Sequence, residues 1–133
     1  TAALATLKVM ERIKSWEIIT DKGKQMQRQW QNLASQHNLS ITVSGIPALS
    51  TYSFNSKNAM EYKTLITQEM LKKGFLASTS FYSCTAHTDD KFESYFTALD
   101  EVYKVIAKCE NGLIDVQGLL EGPVCHSGFK RLN

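Results

Sequence analysis

Between two long stretches of helical periodicity, residues 39–54 change to a period of two. Leu39, Ile41 and Val43 alternate with Ser40, Thr42 and Ser44, the pattern of a strand with one buried face. Gly45-Ile46-Pro47 reads as a break, and Leu49 to Phe54, rich in Thr and aromatics, as a second strand. So short a connection implies an antiparallel pair. Two half-buried strands must bury that face against something, and the rest of the chain offers helices. The fold class expected is therefore α+β: a small, mainly antiparallel three-stranded sheet covered on one face by helices.

The helical stretches supply the cover. Residues 2–14 place Ala3, Leu4, Leu7, Met10 and Ile13 at helical spacing, with Ser15 as a break or cap. A second helix over about 16–37 carries Met26, Trp30, Leu33, Ala34 and His37 on one side. Gly23 weakens it locally, because glycine disfavours a helix interior. Asn58-Ala-Met-Glu61 has capping-box spacing, and the helix it opens runs to Lys73 with Tyr62, Leu65, Ile66 and Met70 inward. Gly74 closes it after a cationic pair, Lys72 and Lys73. Phe75-Leu76-Ala77 is read as the third strand. Thr88 then caps a last helix, with Asp89 and Asp90 in its first turn and a stripe of Phe92, Tyr95, Phe96, Leu99, Val102, Tyr103 and Ile106. Asn111-Gly112 ends it, and residues 111–133 form a C-terminal extension of unassigned structure.

Composition narrows the function classes. A chain of 133 residues with 43% hydrophobic and 21% charged residues suits one globular domain. The net charge of +2 comes from 15 basic and 13 acidic residues, mostly interspersed, so neither a nucleic-acid nor a membrane partner is expected. No run is long and apolar enough for a membrane span. Cys84, Cys109 and Cys125 are an odd number with wide spacing, which favours reduced thiols in a cytoplasmic protein.

Motif chemistry is sparse. Glycine-rich phosphate loops and a hydrolase elbow are missing from the sequence. Cys84, His87, Cys125 and His126 invite a zinc reading, but adjacent residues in an extended tail point in opposite directions, so no metal site is expected. Cys84 and His87 as a nucleophile pair need a third, orienting group that spacing does not supply. His87 is expected to bond to backbone before the last helix. Ser78-Thr79-Ser80-Phe81-Tyr82 is richer. It holds hydroxyls and aromatics where a plain turn uses Gly, Pro, Asn or Asp, and fits either a polar loop or a rim contacting a polar substrate.

Several segments, in order, resemble one family. They are the Ala2-Ala-Leu-Ala-Thr-Leu-Lys-Val-Met10 helix, Val43-Ser-Gly45, Met70-Leu-Lys-Lys-Gly74, Ala86-His-Thr-Asp-Asp90, and the helix through Ala98-Leu-Asp-Glu-Val102. Together they span most of residues 1–110. They resemble the C-terminal small domain of class III, fold-type-I pyridoxal-phosphate aminotransferases, nearest to the glutamate-1-semialdehyde 2,1-aminomutase family. The resemblance implies an enzyme that moves amino groups on a small-molecule substrate. There a lysine holds pyridoxal phosphate as a Schiff base and an acidic residue pairs with the pyridine nitrogen.

In that family those residues belong to a larger, upstream cofactor-binding domain, so Lys8, Lys14 and Lys104 are not assigned the role. No catalytic residue and no bound cofactor are expected in residues 1–133, read as a single domain of a longer, homodimeric enzyme. By position Ser78, Thr79, Ser80, Phe81, Tyr82 and His87 are the expected rim of the substrate cleft. Two departures stand out. No glutamate occurs between Gly74 and Asp90, where the aminomutase has one tied to its reaction, which favours a sister aminotransferase. The stretch from Leu119 to Asn133 also runs past the family's expected end. A self-contained α+β ligand-binding or regulatory module is the competing expectation.

Overall fold

A computed structural model describes residues 1–126 and Gly128. Four α-helices and three strands follow one another as α1 (Ala2–Ile13), α2 (Ser15–Gln36), β1 (Ile41–Ile46), β2 (Leu49–Phe54), α3 (Ala59–Lys72), β3 (Ser80–Tyr82) and α4 (Asp89–Glu110), with a 3₁₀ turn at Val116–Leu119. The sheet order is β1-β2-β3, and both pairings are antiparallel. This is the α+β architecture expected.

The register explains why one face is covered. Ile41, Val43, Ser50, Tyr52, Phe54 and Phe81 share the inner face, and Ser50, Tyr52 and Phe54 are buried. Trp30 from α2, Tyr62, Leu65 and Ile66 from α3, and Leu99, Tyr103 and Ile106 from α4 close over them, each almost wholly inaccessible. The aromatic rings interlock: Trp30 lies 4.6 Å from Tyr52, and Phe54 lies 5.4 Å from Tyr62 and 5.7 Å from Tyr103. Trp30 Nε1 donates to Tyr95 Oη at 3.0 Å, which satisfies the indole inside the core.

The opposite face is open, and its rows differ in chemistry. Ser44, Thr51 and Ser80 form one cross-strand row, with Ser44 and Thr51 hydroxyls 2.8 Å apart. Ile46, Leu49 and Tyr82 form the next, apolar and exposed at 66%, 43% and 71%.

Several local expectations are corrected. The third strand is Ser80–Tyr82, not Phe75–Ala77. Phe75 N–H instead donates to Met70 O at 2.9 Å across the left-handed Gly74, finishing α3, while Leu76 is almost fully exposed. β1 runs through Gly45 to Ile46, and Pro47 and Ala48 make the turn. The break between α1 and α2 is Lys14 in the left-handed region, with Ser15 the first residue of α2.

Neither Asn58 nor Thr88 makes a side-chain cap bond. Asn58 Nδ2 donates to Tyr62 Oη at 3.3 Å. His37 leaves the core stripe, and its Nε2 lies 2.6 Å from Asp100 Oδ1, tying the end of α2 to α4.

The extension acquires structure along α3. Val116 is buried, Gln68 Nε2 donates to Leu119 O at 2.9 Å, and Cys125 N–H donates to Thr64 Oγ1 at 2.9 Å. The part of the extension at Ser127 and Phe129–Asn133 lies outside the described residues. Helix α1 stands apart from all this. None of its 12 residues is buried, and Leu4, Leu7, Met10 and Ile13 are exposed along it.

Candidate substrate-facing site

The segment from Phe75 to Phe92 passes through the edge strand β3 and into α4, and it lines a concavity there. A groove of about 370 Å³ runs beside β3. Phe75, Phe81, Phe92 and Tyr95 provide its apolar walls, and Ser80, Tyr82, His87 and Lys91 its polar atoms. It forms because β3 is an edge strand, and the inward Phe81 packs against Phe92 in the first turn of α4.

The six expected rim residues divide by strand alternation. Ser80 and Tyr82 project from the open sheet face and are exposed. Phe81 faces the helices, with its ring 5.8 Å from Phe92 and 4.8 Å from His87. Thr79 is buried, and its carbonyl accepts from Tyr52 N–H at 2.9 Å. Ser78 is turned toward α3, where the Thr67 hydroxyl donates to it at 3.2 Å.

His87 bonds to backbone, as expected. Its Nδ1 accepts from Cys84 N–H at 3.1 Å, so the neutral ring carries its proton on Nε2, which lies 3.9 Å from Cys84 Sγ. Burial, with Lys91 and Lys22 nearby, holds the imidazole below its usual range and keeps it neutral. The ring therefore pins the loop from Ser83 to Thr88 against Phe81.

The sequence singles out no role for Lys91 and reads Lys22 as a solvated helix end, whereas the Lys22 side chain is only 18% exposed. Lys91 Nζ donates to Ala86 O at 2.8 Å and bounds the groove. Lys22 reaches from α2 to Asp89 at 3.1 Å and lies 5.3 Å from the centre of the Phe92 ring. The only signal was that Lys91 flanks the apolar stripe of α4 at its first turn.

Cys125 is held against α3, with Sγ donating to Met60 O at 3.6 Å, whereas Cys84 and His87 follow β3. Among the described residues no cluster of three potential metal ligands forms.

The groove does not suit pyridoxal phosphate by itself. Among the described residues its one lysine is already bonded to a backbone carbonyl, and no carboxylate lines it to pair with a pyridine nitrogen. What the arrangement can do is present hydroxyls, a phenol and an apolar wall to a molecule held from outside.

Among the described residues, no helix is long and apolar enough to cross a membrane. No family model matches the chain. It is 29% identical over 121 residues to an acetylornithine aminotransferase of Methanocaldococcus jannaschii, a match covering 81% of this chain and 27% of that protein. Among solved structures it is similar to the PLP internal aldimine form of the FumI protein of Sphingopyxis sp. MTA144. There the TM-score is 0.71 at 17% identity, over 90% of this chain and 29% of that one. The chain thus spans under a third of the length of the proteins it matches. One relative is an aminotransferase and the other a structure holding PLP, in keeping with the broad resemblance read from the sequence; neither carries the name of an aminomutase.

Proposed function

We propose that this chain is the C-terminal small domain of a longer pyridoxal-phosphate-dependent aminotransferase, cytoplasmic and homodimeric, that packs against an upstream cofactor-binding domain. The observation that carries the reading is the alignment of most of this chain with about a quarter of an aminotransferase. The cofactor supplies an electron sink for moving an amino group, and it is held by the other domain. This domain's own residues shelter and select. Ser80 and Tyr82 stand on the open sheet face, where a hydroxyl and a phenol can contact the substrate. Phe81 and His87 support them from behind. Neutral His87 adds no charge to the rim.

The finer choice follows the missing glutamate between Gly74 and Asp90, which favours an aminotransferase over an aminomutase of the semialdehyde type. A second reading, a self-contained ligand-binding module, draws on the aromatic groove beside β3. Kinetics separate them. In the longer polypeptide Tyr82→Ala is expected to lower kcat/KM for amino transfer at least about tenfold through KM, while residues 1–133 with added pyridoxal phosphate turn over nothing. An unchanged kcat/KM in Tyr82→Ala removes the rim role. Turnover by residues 1–133 alone contradicts the domain reading.

A further inference from the structure

The hydrogen-bond parity of β3 leaves a specific set of groups unused. Tyr52 N–H donates to Thr79 O and Ser83 N–H to Ala48 O, each at 2.9 Å, and Ser50 lies opposite Phe81. In an antiparallel ladder the bonded pairs alternate, so Thr79, Phe81 and Ser83 direct their backbone groups toward β2. Ser80 and Tyr82 direct theirs away from it, and among the described residues their N–H and C=O groups have no partner. β3 is the edge of the sheet, and the groove walled by Phe75, Phe92 and Tyr95 lies against it.

A bare edge alone is ordinary, since natural sheets keep edge strands short. Here the edge comes with an apolar trough on the side where an added strand would send alternate side chains, the combination used in strand addition. Among the described residues the opposite edge offers no such trough: the groove beside β1 is bounded by Lys24, Gln27, Arg28 and Gln31.

We propose that the β3 edge is a docking site for a fourth strand, an extended segment of the same longer polypeptide, pairing through the backbone of Ser80 and Tyr82. An apolar side chain of that segment enters the groove between Phe92 and Tyr95. The inference rests on the reading of this chain as one domain of a longer enzyme. It takes its occupant from the relatives, in which over two thirds of the polypeptide lies outside the matched part. With the edge paired, the outward side chains of Ser80 and Tyr82 stay on the open sheet face, so the rim role and the docking role use different atoms.

Amide hydrogen exchange at Ser80 and Tyr82, compared between the longer polypeptide and residues 1–133, tests this. Pairing is expected to slow both amides at least about tenfold in the longer protein, while they exchange freely in residues 1–133. Equally fast exchange in both overturns the proposal. So does slow exchange in residues 1–133 that strengthens with concentration, because a second copy then fills the edge. Ser80→Pro adds an independent arm. It deletes one outward N–H and spares the ladder bonds of Thr79 and Phe81, so residues 1–133 keep their Tm within about 2 °C. In the longer protein it is expected to restore fast exchange at Tyr82, and unchanged protection there counts against the pairing. A longer enzyme that binds pyridoxal phosphate yet exchanges freely at Ser80 and Tyr82 sinks the strand alone, whereas a longer protein without a cofactor lysine sinks the domain reading first.

Discussion

At Gly23, in the middle of α2, a Cβ would stand 1.8 Å from Pro47 O. The turn of the hairpin therefore rests on the helix backbone, and Ser50 Oγ secures it by donating to Pro47 O at 3.0 Å. Two effects of Gly23→Ala compete. Helix propensity favours Ala by about 1 kcal/mol, whereas overpacking against rigid backbone costs about 1–3 kcal/mol or more. The clash is with a carbonyl rather than a flexible side chain, so the variant is expected to lose about 1–2 kcal/mol in urea unfolding; a gain contradicts the close approach. The sequence showed Gly23 only as a weak helix position, because its reason is a contact with residue 47.

His87 gives a pH signature. Its folded pKa lies below the unfolded value of about 6.5, so the unfolded chain binds the extra proton. The contribution is fully present above that value and is lost as pH falls below it, down through the lower folded value. Protonation also removes the Nδ1 acceptor for Cys84 N–H. The Tm difference between wild type and His87→Asn is expected to shrink between pH 7.5 and pH about 5. A difference that grows on acidification contradicts the neutral ring.

Among the elements, α1 is the exception to the packing logic. The other three helices each bury an apolar stripe, and those stripes were legible as helical periodicity. α1 shows the same periodicity yet buries nothing, and 12 residues make a marginal helix in water. Deleting residues 1–13 is therefore expected to change the unfolding free energy of the remainder by no more than about 0.5 kcal/mol. A larger loss shows that α1 belongs to this core.

β3 shows a different limit of sequence reading. Phe75-Leu76-Ala77 and Ser80-Phe81-Tyr82 are equally short, and the second carries two strand-favouring aromatics against one. What decided between them was the Gly74 helix end, which uses Phe75 N–H, and the register that sets Phe81 opposite Ser50. Placing the strand five residues early also hid the alternation that sends Thr79 and Phe81 inward and Ser80 and Tyr82 outward.

For the molecule as a whole, the exposed apolar surface has an order. Leu4, Leu7, Met10 and Ile13 along α1, Trp16 at the start of α2, and Ile46, Leu49 and Tyr82 on the open sheet face all lie outside the core. Under the proposed function, apolar exposure of this kind suits packing against the upstream domain. The segment Gly74 to Asp90 was informative in the sequence because its residue types were unusual for a turn. The groove itself was not legible, since it needs Phe75 beyond the end of α3 to meet Phe92 and Tyr95 on α4.

Under the proposed function this chain serves a cofactor anchored elsewhere. Borohydride reduction of the longer polypeptide followed by peptide mapping locates that anchor. A stable pyridoxyl adduct is expected on a lysine outside residues 1–133, and none on Lys91 or any other lysine within them. An adduct on a lysine of residues 1–133, accompanied by amino transfer, contradicts it.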